Sequence, residues 1–296
     1  MNIINFGSLN IDYVYSVDHI VREGETVETS GRALFPGGKG LNQSVALARA
    51  GTPVFHAGCI GEDGTYLTDY LQENGVDVSH VSKESCATGH AIIQVDKAGQ
   101  NSIFLYGGSN QAVTEAHIDR TLAQFRPGDI LLLQNEISGV GYLIRRASEL
   151  GLTIAFNPAP FTPEILEYPL EKLDYLFLNE IEAACVAGDP DGTIEQSAAE
   201  LERKYPEVTI IITMGKDGSV LLHRGERIYQ KAFHVEAVDT TGAGDTFVGY
   251  FLSSVLNGFS LQETLVCATA ASALAVSREG AAPSIPYFEE VKQLMR

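Results

Sequence analysis

Asp239-Thr240-Thr241-Gly242-Ala243-Gly244-Asp245-Thr246-Phe247 sets three small residues directly before an acid. The acid stands directly before an apolar segment, Phe247 to Leu256, with the pattern of a helix. Small residues let the backbone turn tightly and approach a ligand closely. The N–H groups of a helix's first turn lack internal partners, and the helix dipole adds positive potential there. A glycine turn entering a helix is therefore a ready anion site. An acid at the edge of that site makes sense if a proton must be removed beside a phosphoryl group. That is the need of a kinase acting on an alcohol: a carboxylate takes the hydroxyl proton while N–H groups hold the charge on the phosphates. Taken alone, the same residues also describe an N-capping aspartate after a glycine-rich turn.

Upstream of this turn the chain alternates short apolar runs with helical patterns. Ile3 to Gly7 reads as a first strand ending in a glycine turn, and Leu41 to Ala50 as a helix opened by Pro36-Gly37-Gly38-Lys39-Gly40 and closed by Gly51. Val54 to Ile60 is a strand and Tyr66 to Asn74 a helix. Further strands are expected at Ile130–Gln134, Thr153–Phe156, Tyr175–Leu178 and Thr209–Thr213, with helices at Gly139–Leu150, Glu180–Ala187 and Ile194–Tyr205. That alternation predicts an α/β fold whose mostly parallel sheet is covered by helices on both faces. Val220–His223 and Arg227–Phe233 read as an antiparallel pair. Downstream, helices are expected over Thr246–Leu256, Leu261–Val276 and Phe288–Arg296. Gly89–Val95 and Asn101–Tyr106 flank a turn and read as a β-hairpin. A single domain over residues 1–296 is expected. The β-rich inserts near 13–35 and 89–107 would form a small sheet over it.

Parallel α/β sheets bind ligands at the carboxyl ends of their strands. Asn10, Asp12, Glu136, Asn157, Asn179 and the run Thr213 to Gly218 all follow expected strands and predict a substrate groove there. A single polar residue after a strand is commonly a turn former. Gly37-Gly38-Lys39-Gly40-Leu41-Asn42 would let backbone approach a polyol, with Lys39 and Asn42 bonding to hydroxyls. It fails the P-loop pattern, because Gly40 rather than Ser or Thr follows Lys39. Asn179 and Glu182, three apart, fit either a nucleotide phosphate and Mg²⁺ contact through water or a capping box.

Composition narrows the classes. The chain has 296 residues, is 45% hydrophobic and 20% charged, and carries a net charge of −18. That charge argues against nucleic acid and anionic membranes as partners. The four cysteines form no C-x-x-C pair, and the seven histidines form no H-E-x-x-H. No G-x-S-x-G elbow is present. The start has no signal-peptide pattern, and the longest apolar run, Thr264 to Val276, is too short to span a bilayer. A cytoplasmic protein is expected.

The glycine-lysine segment at 37–42 and the segment at 239–245, in that order, resemble the two motifs of the ribokinase family of sugar and nucleoside kinases. Asn157-Pro158-Ala159-Pro160, Asn179 to Glu182 and Thr213-Met214-Gly215 fall where that family has them. The likeness extends over essentially the whole chain and is greatest to the family's ribose kinases at Gly7 to Asp12 and Arg278 to Ser284. It implies a ribokinase-like fold with a β-sheet lid and ATP-dependent phosphorylation of the primary 5-hydroxyl of a sugar. D-ribose is the first candidate, with deoxyribose, fructose or a nucleoside as alternatives on the same fold and a non-catalytic sensor as a rival of another class. Asp245 would be the base, and Gly242, Ala243 and Gly244 the anion hole. Asn10, Asp12, Gly38, Lys39, Asn42, Glu136 and Asp245 would hold the sugar. Asn179, Thr213, Met214, Gly215, Lys216, Asp217, Gly218 and Gly244 would contact ATP, and Glu182 would hold Mg²⁺ through water. Asp239, Thr241, Ala275, Arg278, Gly280 and Ser284 would bind K⁺ or a similar monovalent cation. The lid would pair two subunits as a homodimer.

Overall fold

Runs such as Ile130-Leu131-Leu132-Leu133 and Ile210-Ile211-Ile212 are apolar at every position because both faces of their strands are covered. The computed structural model describes residues 1–296. The strands are β1 (Ile3–Phe6), β2 (Asn10–Ser16), β3 (Gly31–Gly37), β4 (Val54–Ile60), β5 (Asp77–Lys83), β6 (Gly89–Val95), β7 (Asn101–Tyr106), β8 (Ile130–Gln134), β9 (Thr153–Asn157), β10 (Tyr175–Asn179), β11 (Thr209–Thr213), β12 (Ser219–His223) and β13 (Glu226–Gln230). The helices are α1 (Lys39–Arg49), α2 (Thr65–Glu73), α3 (Glu115–Leu122), α4 (Val140–Glu149), α5 (Glu180–Ala187), α6 (Ile194–Lys204), α7 (Ala243–Leu256), α8 (Leu261–Val276) and α9 (Phe288–Leu294).

A nine-stranded sheet runs β13-β12-β11-β10-β9-β8-β1-β4-β5. It is parallel from β5 to β11 and antiparallel at β11–β12 and β12–β13. Alternate side chains divide between two apolar layers, as the two-residue period of a strand requires. Ile4, Leu131, Leu133, Ile154, Phe156, Ile210 and Ile212 pack with α3 to α6 on one face. Ile3, Ile130, Leu132, Ala155, Phe177 and Ile211 pack with α1, α2, α7, α8 and α9 on the other. The expected parallel sheet, covered on both faces, is therefore the one observed, with its antiparallel edge at the predicted place.

A second sheet of four strands runs β3-β2-β6-β7. Its central pair β2–β6 is parallel and its outer pairs are antiparallel. Sequence reading differs from the structure here in three respects. The β-rich insert expected near 13–35 has its first strand from Asn10, and residues 17–30 hold no regular element. Pro36-Gly37, expected to open a helix, closes β3 instead, on an edge strand where a missing N–H costs no ladder bond. Strand β5 and helix α3 had no counterpart in the sequence reading. β5 is a half-exposed edge strand of mixed polarity. α3 is short, and its N-cap Thr114 accepts from the His117 N–H without the acidic partner of a capping box.

Candidate active site

Helix α7 begins at Gly242, whose backbone is left-handed (φ 75°), so a residue free of the Cβ penalty is required there. The Thr246 N–H closes on the Gly242 carbonyl at 2.8 Å and the Ala243 N–H on that of Thr240 at 3.3 Å, whereas the N–H groups of Gly244 and Asp245 donate to no protein group. Two unpaired donors at a helix start are an anion-binding surface. Asp245 follows in the same turn, only 5% exposed. Its side chain does not cap its own helix. Asn42 Nδ2 donates to Oδ2 and Gln43 Nε2 donates to Oδ1, both at 2.9 Å.

Those amides come from α1, whose start is pressed against the first strand's turn. A Cβ on Gly40 would overlap the backbone of Gly7 and Ser8, so only glycine lets the helix dock there. The docking aligns Lys39, Asn42 and Gln43 with Asp245, so two glycine motifs far apart in sequence meet face to face. Glu136, just beyond β8, accepts from the Ser8 hydroxyl and, at 3.0 Å, from the Lys39 N–H on the same oxygen, Oε2. Asn10 is buried, and its Oδ1 accepts from Asn110 Nδ2 at 2.7 Å. Asp12 projects from β2 against Gly37, where a Cβ would overlap its carboxylate.

One cation serves several acids. The Lys39 ammonium is held above its usual range, first by Asp245 and then, against the cost of burial, by Glu136 and Glu182. Burial raises Glu136 and Glu182, with Lys39 opposing. Burial, reinforced by Glu136, lifts Asp12 to about 7. A cleft so lined favours a ligand that brings hydroxyl donors to the carboxylates and a cation with its phosphates.

From Asp245 the cleft continues past Lys39, Asn179, Glu182, Thr213, Gly215, Gly242 and Gly244. It meets a more apolar cavity of about 440 Å³ lined by Thr213, Gly215, Lys216, Gly218, Gly244 and the side chains of α8. Of the six residues from Thr213 to Gly218, Met214 and Asp217 line neither space. The turn at Gly215–Asp217 carries Asp217 outward, and Met214 packs on the core. Asn179 and Glu182 form a complete capping box, and both also line the cleft. Phe233, His234 and Val235, from the extended segment after β13, and Ala273 and Val276 of α8 complete the cavity. No motif signalled them, because apolar lining residues carry no distinctive spacing.

Beside the anion turn, Asp239 Oδ1 accepts from the Thr241 N–H and hydroxyl, and Oδ2 from the Gly280 N–H at 3.0 Å. This stitches the turn at 239–241 to the loop after α8. Arg278 turns its guanidinium to Glu290, Ser284 gives its hydroxyl to the Ala281 carbonyl, and the Ala275 carbonyl accepts from the Arg278 N–H.

A buried carboxylate beside unpaired helix N–H groups, on a strand-end cleft that meets a second cavity, is an arrangement suited to phosphoryl transfer to an alcohol. The chain belongs to the pfkB family of carbohydrate kinases, whose profile matches residues 2–287. It is an ATP-dependent sugar kinase. Among its relatives are the ribokinase of Haemophilus influenzae, 36% identical with 98% of this chain and 96% of that one aligned, and the ribokinase of Schizosaccharomyces pombe, 36% identical with the same coverage. The solved structure of Arabidopsis thaliana ribokinase complexed with ribose and ATP superposes with a TM-score of 0.89 at 30% identity, covering 100% of this chain and 98% of that one. No helix is long and apolar enough to cross a membrane.

Proposed function

We propose that the protein transfers the γ-phosphoryl group of ATP to the 5-hydroxyl of D-ribose. The observation that carries this reading is Asp245, fixed by two amides beside the unpaired N–H groups of Gly244 and itself. Asp245 takes the proton of the attacking hydroxyl. The sugar oxygen bonds to the γ-phosphorus as the bond to the bridging oxygen breaks, and ADP leaves with the charge. The first turn of α7 holds that charge, and Mg²⁺ bound with ATP would add further charge stabilisation at the phosphates. Asn10, Asp12, Gly38, Lys39, Asn42 and Glu136 hold the sugar. Asn179, Thr213, Gly215, Lys216 and Gly218 take the nucleotide, and Glu182 would hold Mg²⁺ through water. ADP release measured across ribose, deoxyribose, fructose and nucleosides tests the reading, with ribose expected to give the highest kcat/KM. Tight sugar binding without ADP release would indicate a sensor instead.

Asp239, Thr241 and the carbonyls of Ala275, Arg278 and Gly280, with Ser284, would bind K⁺ and keep the anion turn in place. Replacing K⁺ by a bulky organic cation at matched ionic strength should then lower kcat or the affinity for ATP, with Na⁺ intermediate. Equal turnover in all three salts would remove the cation from the account.

The small sheet acts as a lid and as a dimer surface. Ile103, Phe104, Leu105 and Tyr106 are each more than half exposed on an edge strand, an arrangement a lone chain does not favour. Sedimentation velocity should show a dimer that Phe104→Lys dissociates; a wild-type monomer would contradict this. With ATP as donor the protein works in the cytoplasm, which cell fractionation can check.

A further inference from the structure

We propose that Gln43 is a positioning residue for Asp245, locked by a chain of buried side chains that runs through Gln134 and Asn5 to Ser44 and His56. The proposal rests on Asp245 being the base. Gln43 is fully buried and does not line the cleft that Asp245 borders. One of its N–H bonds goes to Asp245 Oδ1 at 2.9 Å and the other to Asn157 Oδ1 at 3.2 Å. Its own Oε1 accepts from Gln134 Nε2 at 2.6 Å. Gln134 Nε2 also donates to Asn5 Oδ1 at 2.9 Å, and Asn5 Nδ2 donates to the Gly40 carbonyl at 2.7 Å and to Ser44 Oγ at 2.8 Å. Ser44 Oγ meets His56 Nδ1 at 2.8 Å.

The orientation of every group in this chain follows from its end. A carboxylate only accepts, so Gln43 must turn its NH₂ to Asp245. Its oxygen then faces Gln134, which must turn its NH₂ to both Gln43 and Asn5. Asn5 in turn spends both N–H bonds on Gly40 and Ser44, and Ser44 is left to donate to a neutral imidazole. Full burial, which pushes His56 down to about 4, supplies that neutral ring. No member can flip its amide without breaking a neighbour's bond. The chain ties α7 to α1, β1, β4, β8 and β9, so the carboxylate plane of Asp245 is referenced to the centre of the sheet. Apolar residues would fill the same space without stranding a polar atom, yet Gln134 Oε1 and His56 Nε2 are buried and unpartnered. An incompletely satisfied polar chain is costly for stability, which favours a role in placing a group over a role in holding the fold. Asn42 and Gln43 thereby divide the work: Asn42 borders the sugar and holds Oδ2, while Gln43 holds Oδ1.

The test compares wild type with Gln43→Leu, Gln134→Leu, the double variant and Gln43→Glu. Gln43→Leu should lower kcat about 10- to 100-fold through misorientation of the base, with the KM for ribose changed less than about two-fold. Gln134→Leu should lower kcat less, and its effect should shrink in the Gln43→Leu background, because one of its two bonds goes to Gln43. Gln43→Glu keeps the shape and loses the donor when ionised; its kcat relative to wild type should rise as the pH falls and the new carboxyl regains a proton to donate. That pH signature remains readable if a leucine variant fails to fold. Unchanged kcat in Gln43→Leu, additive losses in the double variant, or a pH-independent deficit in Gln43→Glu would each overturn the positioning role. Asp245→Asn measured alongside separates the two claims. Full turnover in that variant removes the base itself, whereas its loss with full turnover in Gln43→Leu removes only the chain behind it.

Discussion

Asp245→Asn should leave the fold and sugar binding intact and lower kcat by about 10²–10⁴-fold, the usual worth of a positioned general base. The substitution is nearly isosteric: Gln43 goes on donating to the new side chain's oxygen, and Asn42, whose own oxygen has no partner, can turn its amide to accept from the new NH₂. Turning Gln43 instead would disturb its bond to Gln134. Stability should therefore change little, which circular dichroism and thermal melting can check. What the variant cannot do is accept the proton of the attacking hydroxyl. An N-capping aspartate, the plain alternative for this turn, would show the opposite pattern: turnover nearly unchanged and any loss confined to stability. The structure already weakens that alternative, because the Asp245 side chain bonds across to α1 and to no N–H of its own helix.

Gly244→Val should be the second large effect, and it acts on the acceptor of charge in place of the base. A Cβ at Gly244 meets no atom within 4 Å, and its backbone is not left-handed. The folded protein therefore has room for the valine, and stability should shift by no more than about 1 kcal/mol. The branched side chain would stand in the space that the unpaired N–H groups of Gly244 and Asp245 face. Turnover with ATP should fall about 10²–10³-fold, the cost of losing preorganised donors at the developing charge. Activity within a few-fold of wild type would mean that the phosphoryl charge is held elsewhere.

The parts of this site that were legible in the sequence are those where backbone geometry dictates residue identity. Gly242 must be left-handed and Gly40 must let two backbones touch, so both motifs stand out as glycine clusters beside a functional side chain. The sheet was legible because strands covered on both faces are apolar throughout. What stayed hidden depends on neighbours brought in by the fold. Gln43, Gln134 and Asn5 are ordinary polar residues within or beside apolar runs, and nothing in their spacing shows that they bond to one another. The apolar wall made by Phe233, Ala273 and Val276 joins a loop to a helix with no shared motif. In sequence Thr213 to Gly218 reads as one contacting run, whereas the tight turn within it sends Met214 to the core and Asp217 outward. Asn179 and Glu182 could not be resolved from spacing because the capping box and the cleft use the same two side chains.

The central claim is that the chain phosphorylates the 5-hydroxyl of ribose with Asp245 as base. The most direct test is ³¹P NMR of the products formed from ATP and D-ribose by the wild-type protein and by Asp245→Asn. The account predicts ribose 5-phosphate and ADP in equal amounts from wild type, and almost none from the variant over the same time. Phosphate on another hydroxyl, ADP release that does not depend on ribose, or equal product from both proteins would contradict it.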